Sequence, residues 1–190
     1  MVRRKRVFLL VLLAAATLSL TGCGGSDESA PTSAVPFDRA FIDAMVPHHQ
    51  SAIEMATAAK DAGLTQSELV EIADDIIATQ QLEIDDMLRW RADWFGGEPE
   101  SEEAALAALG LSPAEAGMEH DAGDLESVED VDQAFAAMMI AHHEGAIRMA
   151  ELAREKGQHD EVKELAEAII SAQQREVRVM RPHAEGEHHG

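Results

Sequence analysis

One stretch of this chain is written twice. Phe41-Ile-Asp-Ala-Met45-Val-Pro-His48-His49-Gln50-Ser-Ala52-Ile53-Glu-Met55-Ala56 returns as Phe135-Ala-Ala-Met138-Met139-Ile-Ala-His142-His143-Glu144-Gly-Ala146-Ile147-Arg-Met149-Ala150. Gly63 and Gly157 keep the same offset. After a one-residue slip, Gln80-Gln81-Leu-Glu83 matches Gln173-Gln174-Arg-Glu176, and Met87 matches Met180. A duplication of this length means two copies of one supersecondary unit, each burying its apolar face against the other.

The unit is helical. Positions 41, 45, 48, 52, 55 and 59 form a stripe with 4-3-4-3-4 spacing, and their counterparts from Phe135 to Ala153 repeat it. The first helix is predicted from about Asp38 to Ala62, stopped by Gly63. Thr65 and Glu68 suggest a capping box for the second, which ends at Gly96-Gly97. The third is predicted over about 128–156 and the fourth over about 160–181. Between the pairs, residues 96–127 form a long acidic crossover, with a short helix near 102–109 and another starting at Ser112-Pro113. The chain has no tyrosine, five phenylalanines and two tryptophans, which favours helix over sheet. The expected fold is all-α: a ferritin-like four-helix bundle over about 37–183, made of two duplicated helical hairpins (37–95 and 128–183) with a long crossover. A short His-containing tail, 184–190, follows.

Ahead of the bundle, Arg3, Arg4, Lys5 and Arg6 precede an apolar run ending in Leu20-Thr21-Gly22-Cys23. A basic segment before a short apolar one has the form of a secretion signal, here residues 1–22. Its last residues resemble a bacterial lipoprotein cleavage box. That implies lipidation of Cys23, a membrane anchor, a tether over 23–36 and an extracytoplasmic location. The alternative is an uncleaved anchor helix. Cys23 is the sole cysteine, which excludes an intrachain disulfide and a thiolate cage. Without residues 1–22 the chain keeps 11 basic against 36 acidic residues, a net charge of −25. Such a chain repels nucleic acid and attracts cations. Acidity alone also serves solubility.

Polar residues interrupt the stripes: His48, Gln80 and Glu83 in the first repeat, His142, Gln173 and Glu176 in the second. Burial of such groups is costly unless they are paired. Antiparallel hairpins would bring His48 level with Glu83 and Gln80, and His142 level with Glu176 and Gln173. His49 and His143 point about 100° away, at the stripe edge, where they either complete the layer or form a shallower site. Met45 and Met139 lie one turn before the histidines, and Met87 and Met180 one turn after the glutamates. Thioether beside imidazole suits Cu(I), while imidazole with carboxylate also takes Cu(II) or zinc. The candidate metal ligands are therefore His48, His49, His142, His143, Met45, Met139, Glu83 and Glu176, with Gln80, Gln173, Met87 and Met180 beside them. Core packing is the plain reading for Met55, Met138 and Met149, and a register-fixing polar layer is the plain reading for the histidines. Gln50 and Glu144 are solvent-side or supporting groups. Loose metal capture is open to Met118, His120, His183, His188 and His189. Pro47 removes a helical hydrogen bond beside His48. Because imidazole must be neutral to bind metal, ligation is expected to fail below about pH 6.

These motifs, Phe41-x3-Met45-x2-His48-His49-x2-Ala52-Ile53-x-Met55-Ala56 and Gln80-x2-Glu83-x3-Met87 with their repeats, resemble a bacterial domain-of-unknown-function family, number three hundred and five, of CopM-like copper-binding proteins. The match spans about 37–183. It implies a ferritin-like bundle, exported or lipid-anchored, that handles copper through Met45, His48, His49, Met139, His142 and His143, with Glu83 and Glu176 nearby. Three functions follow: a copper scavenger, buffer or chaperone with no enzymatic activity; a ferritin-like metallo-oxidase, also accommodating iron; or a metal-free structural bundle. Di-iron oxidases carry Glu-x-x-His where this chain has Gln-x-x-Glu, which leaves two carboxylates for two hard ions and disfavours the oxidase. No sequence feature identifies a protein partner.

Overall fold

A computed structural model describes residues 35–186, and all of its regular structure is helical. The leader, Cys23, most of the tether, His188 and His189 lie outside the described residues. The elements are α1 (Phe37–Ala62), α2 (Ser67–Trp94), α3 (Glu102–Leu109), a 3-10 turn (Ala122–Ser127), α4 (Val131–Lys156) and α5 (Asp160–Ala184). No helix among the described residues is long and apolar enough to cross a membrane.

α1 packs along α2, α4 packs along α5, and α1 and α4 meet at the centre, whereas α2 and α5 barely touch. The two central helices run antiparallel, as their end contacts show. Asp38, at the start of α1, accepts hydrogen bonds from the backbone N–H of Gln158 (2.9 Å) and His159 (2.8 Å), where α4 turns into α5. His159 Nδ1 donates to the same carboxylate at 2.6 Å. Asp132, one repeat offset further on, accepts from Thr65 N (2.9 Å) and Gln66 N (3.0 Å), where α1 turns into α2. Each hairpin thus supplies the cap for the turn of the other, satisfying amides that a helix start leaves unpaired. The Thr65/Glu68 capping box is not formed. Gln66 is the N-cap of α2 without a side-chain cap bond, Thr65 turns to Asp132, and Glu68 instead receives His183 Nε2 at 3.0 Å. Asp38→Ala is expected to cost about 1–2 kcal/mol, read as a lower urea midpoint. An unchanged midpoint would show that solvent satisfies these amides as well.

Gly63 closes α1 in the left-handed conformation (φ 104°), its N–H returning to Ala59 O and Lys60 O. α5 runs past the expected end, through Pro182 to Ala184, because His183 is held down against α2. The crossover departs from expectation too. Residues 113–117 form turns rather than a helix, and the next regular element is the 3-10 turn capped by Asp121. At the end of α2, Trp94 stacks on Trp90 (5.5 Å) and on His159 (3.8 Å, planes 2° apart), tying the two hairpins at one pole.

The core divides into two apolar clusters. One gathers Phe41, Met45, Met87, Met149, Val162 and Ile169. The other gathers Met55, Leu69, Ile76, Phe135, Met139 and Met180. Along α1 the first cluster ends at Met45 and the second begins at Ala52. Along α4 the order reverses, Met139 then Ala146. What lies between is the histidine layer.

Candidate metal centre

The four histidines are among the most completely buried polar groups of the described residues, each 0–1% exposed. His48 and His142 face one another across the α1–α4 seam, their ring centroids 3.7 Å apart and their planes 39° apart. His49 and His143 are not at an edge, as their 100° offset suggested. α1 is covered by α4 on one side and by α2 on another, so a 100° rotation carries a side chain from one buried seam to the next.

The carboxylate partners shift accordingly. Glu83 does not meet His48; its Oε2 accepts from His49 Nε2 at 2.7 Å. Glu176 accepts from His143 Nε2, also at 2.7 Å. His48 Nε2 donates instead to the backbone carbonyl of Ala116 in the crossover, at 2.9 Å. A carbonyl and a carboxylate only accept, so all three Nε2 atoms carry hydrogen, and the neutral ring leaves Nδ1 as a lone pair. The Nδ1 atoms of His48, His49 and His143 are buried and lack a hydrogen-bond partner, as are both ring nitrogens of His142. The Oε1 atoms of Gln80 and Gln173, each residue 3% exposed, are buried and unpartnered in the same way. Native interiors rarely leave acceptors unpaired, and each costs on the order of 1–3 kcal/mol. Four neutral imidazoles, each with one unused lone pair, and two orphaned amide oxygens fit a bound cation: they supply lone pairs where nothing else uses them. The chemistry of the set, borderline-soft imidazole bracketed by thioethers at Met45, Met139, Met87 and Met180, all 0% exposed, fits a soft ion.

Burial holds the central pair neutral. The pKa of His48 is lowered to about 3, by desolvation first and then by His49 and His143, against a smaller rise from its bond to Ala116. His142 is pushed well below the ordinary imidazole range by burial and by the other three histidines. Loss of ligation near pH 6 therefore does not apply to His48 and His142, which keep their lone pairs into far stronger acid. Among the described residues, no group of three or more His, Cys, Asp or Glu side chains stands as a ready-made cage. The donors flank the seam rather than converge on one point. Access lies between α2 and α5, where a groove of about 400 Å3 is lined by Asp75, Thr79, Glu83, Arg175 and Glu176 among others. Only the glutamates of the layer reach it, their side chains 21% and 18% exposed.

Other candidates fall outside the layer. His183 is buried against α2 on Glu68. His120 lies at the surface, 3.4 Å from Asp124. Met118 packs half-buried against the first core cluster. Gln50 and Glu144 are exposed. Pro47 sits within α1 without ending it. The sequence did not reveal the Ala116 carbonyl; its signal is Gly145, the glycine that stands where the first repeat has Ser51.

An all-helical bundle of two repeated hairpins, closed on a buried layer of paired histidines, is the class that fold and site define. Residues 38–184 match the model of the family described as Domain of unknown function (DUF305), and the chain belongs to that family. Among solved structures it is similar to CopM in the Cu(I)-bound form, with 30% identity and a TM-score of 0.65 over 78% of this chain and 96% of that one. CopM in the Cu(II)-bound form gives 30% identity and 0.67 over 80% and 97%. A Streptomyces coelicolor DUF305 protein, designated secreted, gives 26% identity and 0.67 over 76% and 89%. No curated protein matches the chain.

Proposed function

We propose that this protein binds copper in its histidine layer, outside the cytoplasmic membrane, as a scavenger, buffer or chaperone rather than an enzyme. The observation that carries the proposal is the set of orphaned imidazole nitrogens, sealed in the core and bracketed by methionines. The similarity to a protein solved with Cu(I) and with Cu(II) supports the choice of metal. The lipoprotein-like leader ending at Cys23, with the likeness to a protein designated secreted, supports an anchored, extracytoplasmic site. Zinc or iron are the competing ions.

In this reading copper is cargo. His48, His49, His142 and His143 offer the nitrogens, with Met45 and Met139 as thioether donors. Glu83 and Glu176, placed among the ligands from sequence, instead take the Nε2 protons of His49 and His143, fixing ring orientation and raising basicity at Nδ1. Metal content and affinity of residues 24–190 after dialysis against copper (both oxidation states), zinc and iron test the proposal. The quadruple His48/His49/His142/His143→Ala variant is expected to lose copper. Equal binding by both proteins would move the metal to the acidic surface, and oxygen consumption by an iron-loaded protein would restore the oxidase. Glu83→Gln with Glu176→Gln is expected to weaken copper binding about 10- to 100-fold with the fold intact. A loss of all binding would make the glutamates ligands.

A further inference from the structure

We infer that the crossover is a tautomer lock: the Ala116 carbonyl, seated on Gly145 of α4, fixes the His48 proton on Nε2 and so selects Nδ1 as the nitrogen offered to a bound cation. The inference rests on the metal reading for its cation, but the lock itself is a property of the metal-free fold.

The lock is built from backbone and held from several sides. A Cβ on Gly145 would stand 1.8 Å from Ala116 O, and one on Gly117 (φ +73°) would stand 2.4 Å from Ala141 O. Neither position admits another residue without moving the backbone, so the Ala116–Gly117 peptide lies directly on α4 beside His142. Arg148 Nε, one turn after Gly145, donates to Glu115 O at 2.6 Å. The turn closes on itself through Ala116 N to Ser112 O (3.0 Å) and Met118 N to Pro113 O (2.9 Å). With both flanks pinned, the carbonyl between them is a fixed acceptor.

The twin position has no such device. Ser51 replaces Gly145 in the first repeat, and neither nitrogen of His142 has a hydrogen-bond partner. Two histidines that the duplication made equivalent are thus unequal: His48 offers one predetermined nitrogen, while His142 is free to present either. Ala116 acts through His48 and is a positioning group, with no contact to the cation implied.

Nitrogen NMR of the full chain in mild detergent, labelled with 15N-histidine and stripped with chelator, tests this. His48 is expected as a single species, protonated at Nε2 and bare at Nδ1, and silver(I), a redox-inert probe, is expected to shift its Nδ1. Gly145→Ala is expected to return His48 to a tautomer mixture and weaken silver binding roughly tenfold or more, whereas Ser51→Ala leaves both unchanged. A proton on His48 Nδ1, or a tautomer mixture in the unsubstituted protein, overturns the lock even if Gly145→Ala fails to fold. A silver shift at Nε2 of His48, or Gly145→Ala with unchanged tautomer and affinity, overturns it as well. If silver perturbs no histidine of the layer, the metal reading falls, and the metal-free spectrum still decides the lock.

Discussion

Arg91→Ala is expected to destabilise the fold by about 3–5 kcal/mol. Arg91 is 4% exposed, and its Nε donates to Asp43 at 2.6 Å. The rest of its guanidinium donates to the carbonyls of Gly96 and Glu98, where the chain leaves α2 for the crossover. Asp43, also 4% exposed, takes a further bond from Glu100 N at 3.1 Å. Removing the arginine leaves a buried carboxylate with one backbone donor and Arg39 Nε at 3.5 Å, and frees the Gly96 carbonyl, while the Glu98 carbonyl keeps Arg39 Nη2 at 3.2 Å. The cost comes from a buried charge left with only the more distant Arg39 rather than from the strength of the pair, so the double variant Asp43→Ala/Arg91→Ala is expected to lose less than the sum of the two single variants. Urea titrations of the four proteins measure this. Additive losses would show that each side chain acts alone.

Acidification from pH 7 to pH 5 is expected to destabilise the metal-free protein, by roughly 2 kcal/mol through His48 and further in the same direction through His142. The sign follows from the lowered pKa values. Below about 6.5 the unfolded chain binds protons that the folded His48 and His142 refuse, so their contribution is complete above that pH and drains away toward the folded pKa, about 3 for His48. Burial raises the pKa of Glu102, which adds a slope of the opposite sign to the profile. Urea unfolding in chelator at pH 7, 6 and 5 reads it directly. His48→Leu/His142→Leu should flatten the profile; a wild-type profile that is flat over the window would mean that water reaches the layer.

The helices were legible because each carries its stripe along its whole length, and the duplication gave two independent readings of one hairpin. The layer was legible as composition: His48, Gln80, Glu83 and their twins do not belong in a core without partners. Which partner goes to which histidine was not. That depends on α1 being enclosed on two sides, which sends His48 to α4 and His49 to α2, and stripe periodicity describes a helix with one buried face. Asp38 and Asp132 keep the repeat offset but carry no distinct signal, since an acidic residue in the first turn of a helix looks like a favourable charge for its own helix. The Ala116 carbonyl carries no side-chain signal. Only the exchange of Ser51 for Gly145 marks where it lies.

The exchange of caps between hairpins bears on what a half of this molecule would be. Asp38 finishes the turn that belongs to the second repeat and Asp132 the turn that belongs to the first, while the histidine pair is shared across the same seam. That is the reciprocity of an isologous contact, in which each copy presents to the other the patch it receives. A chain of one repeat would reach the same arrangement only by pairing with another copy of itself, and both copies would then be identical at every position. Fusing the copies into one polypeptide lifts that constraint: a glycine can stand in one half and a serine in the other, and the link that joins them can side with a single histidine.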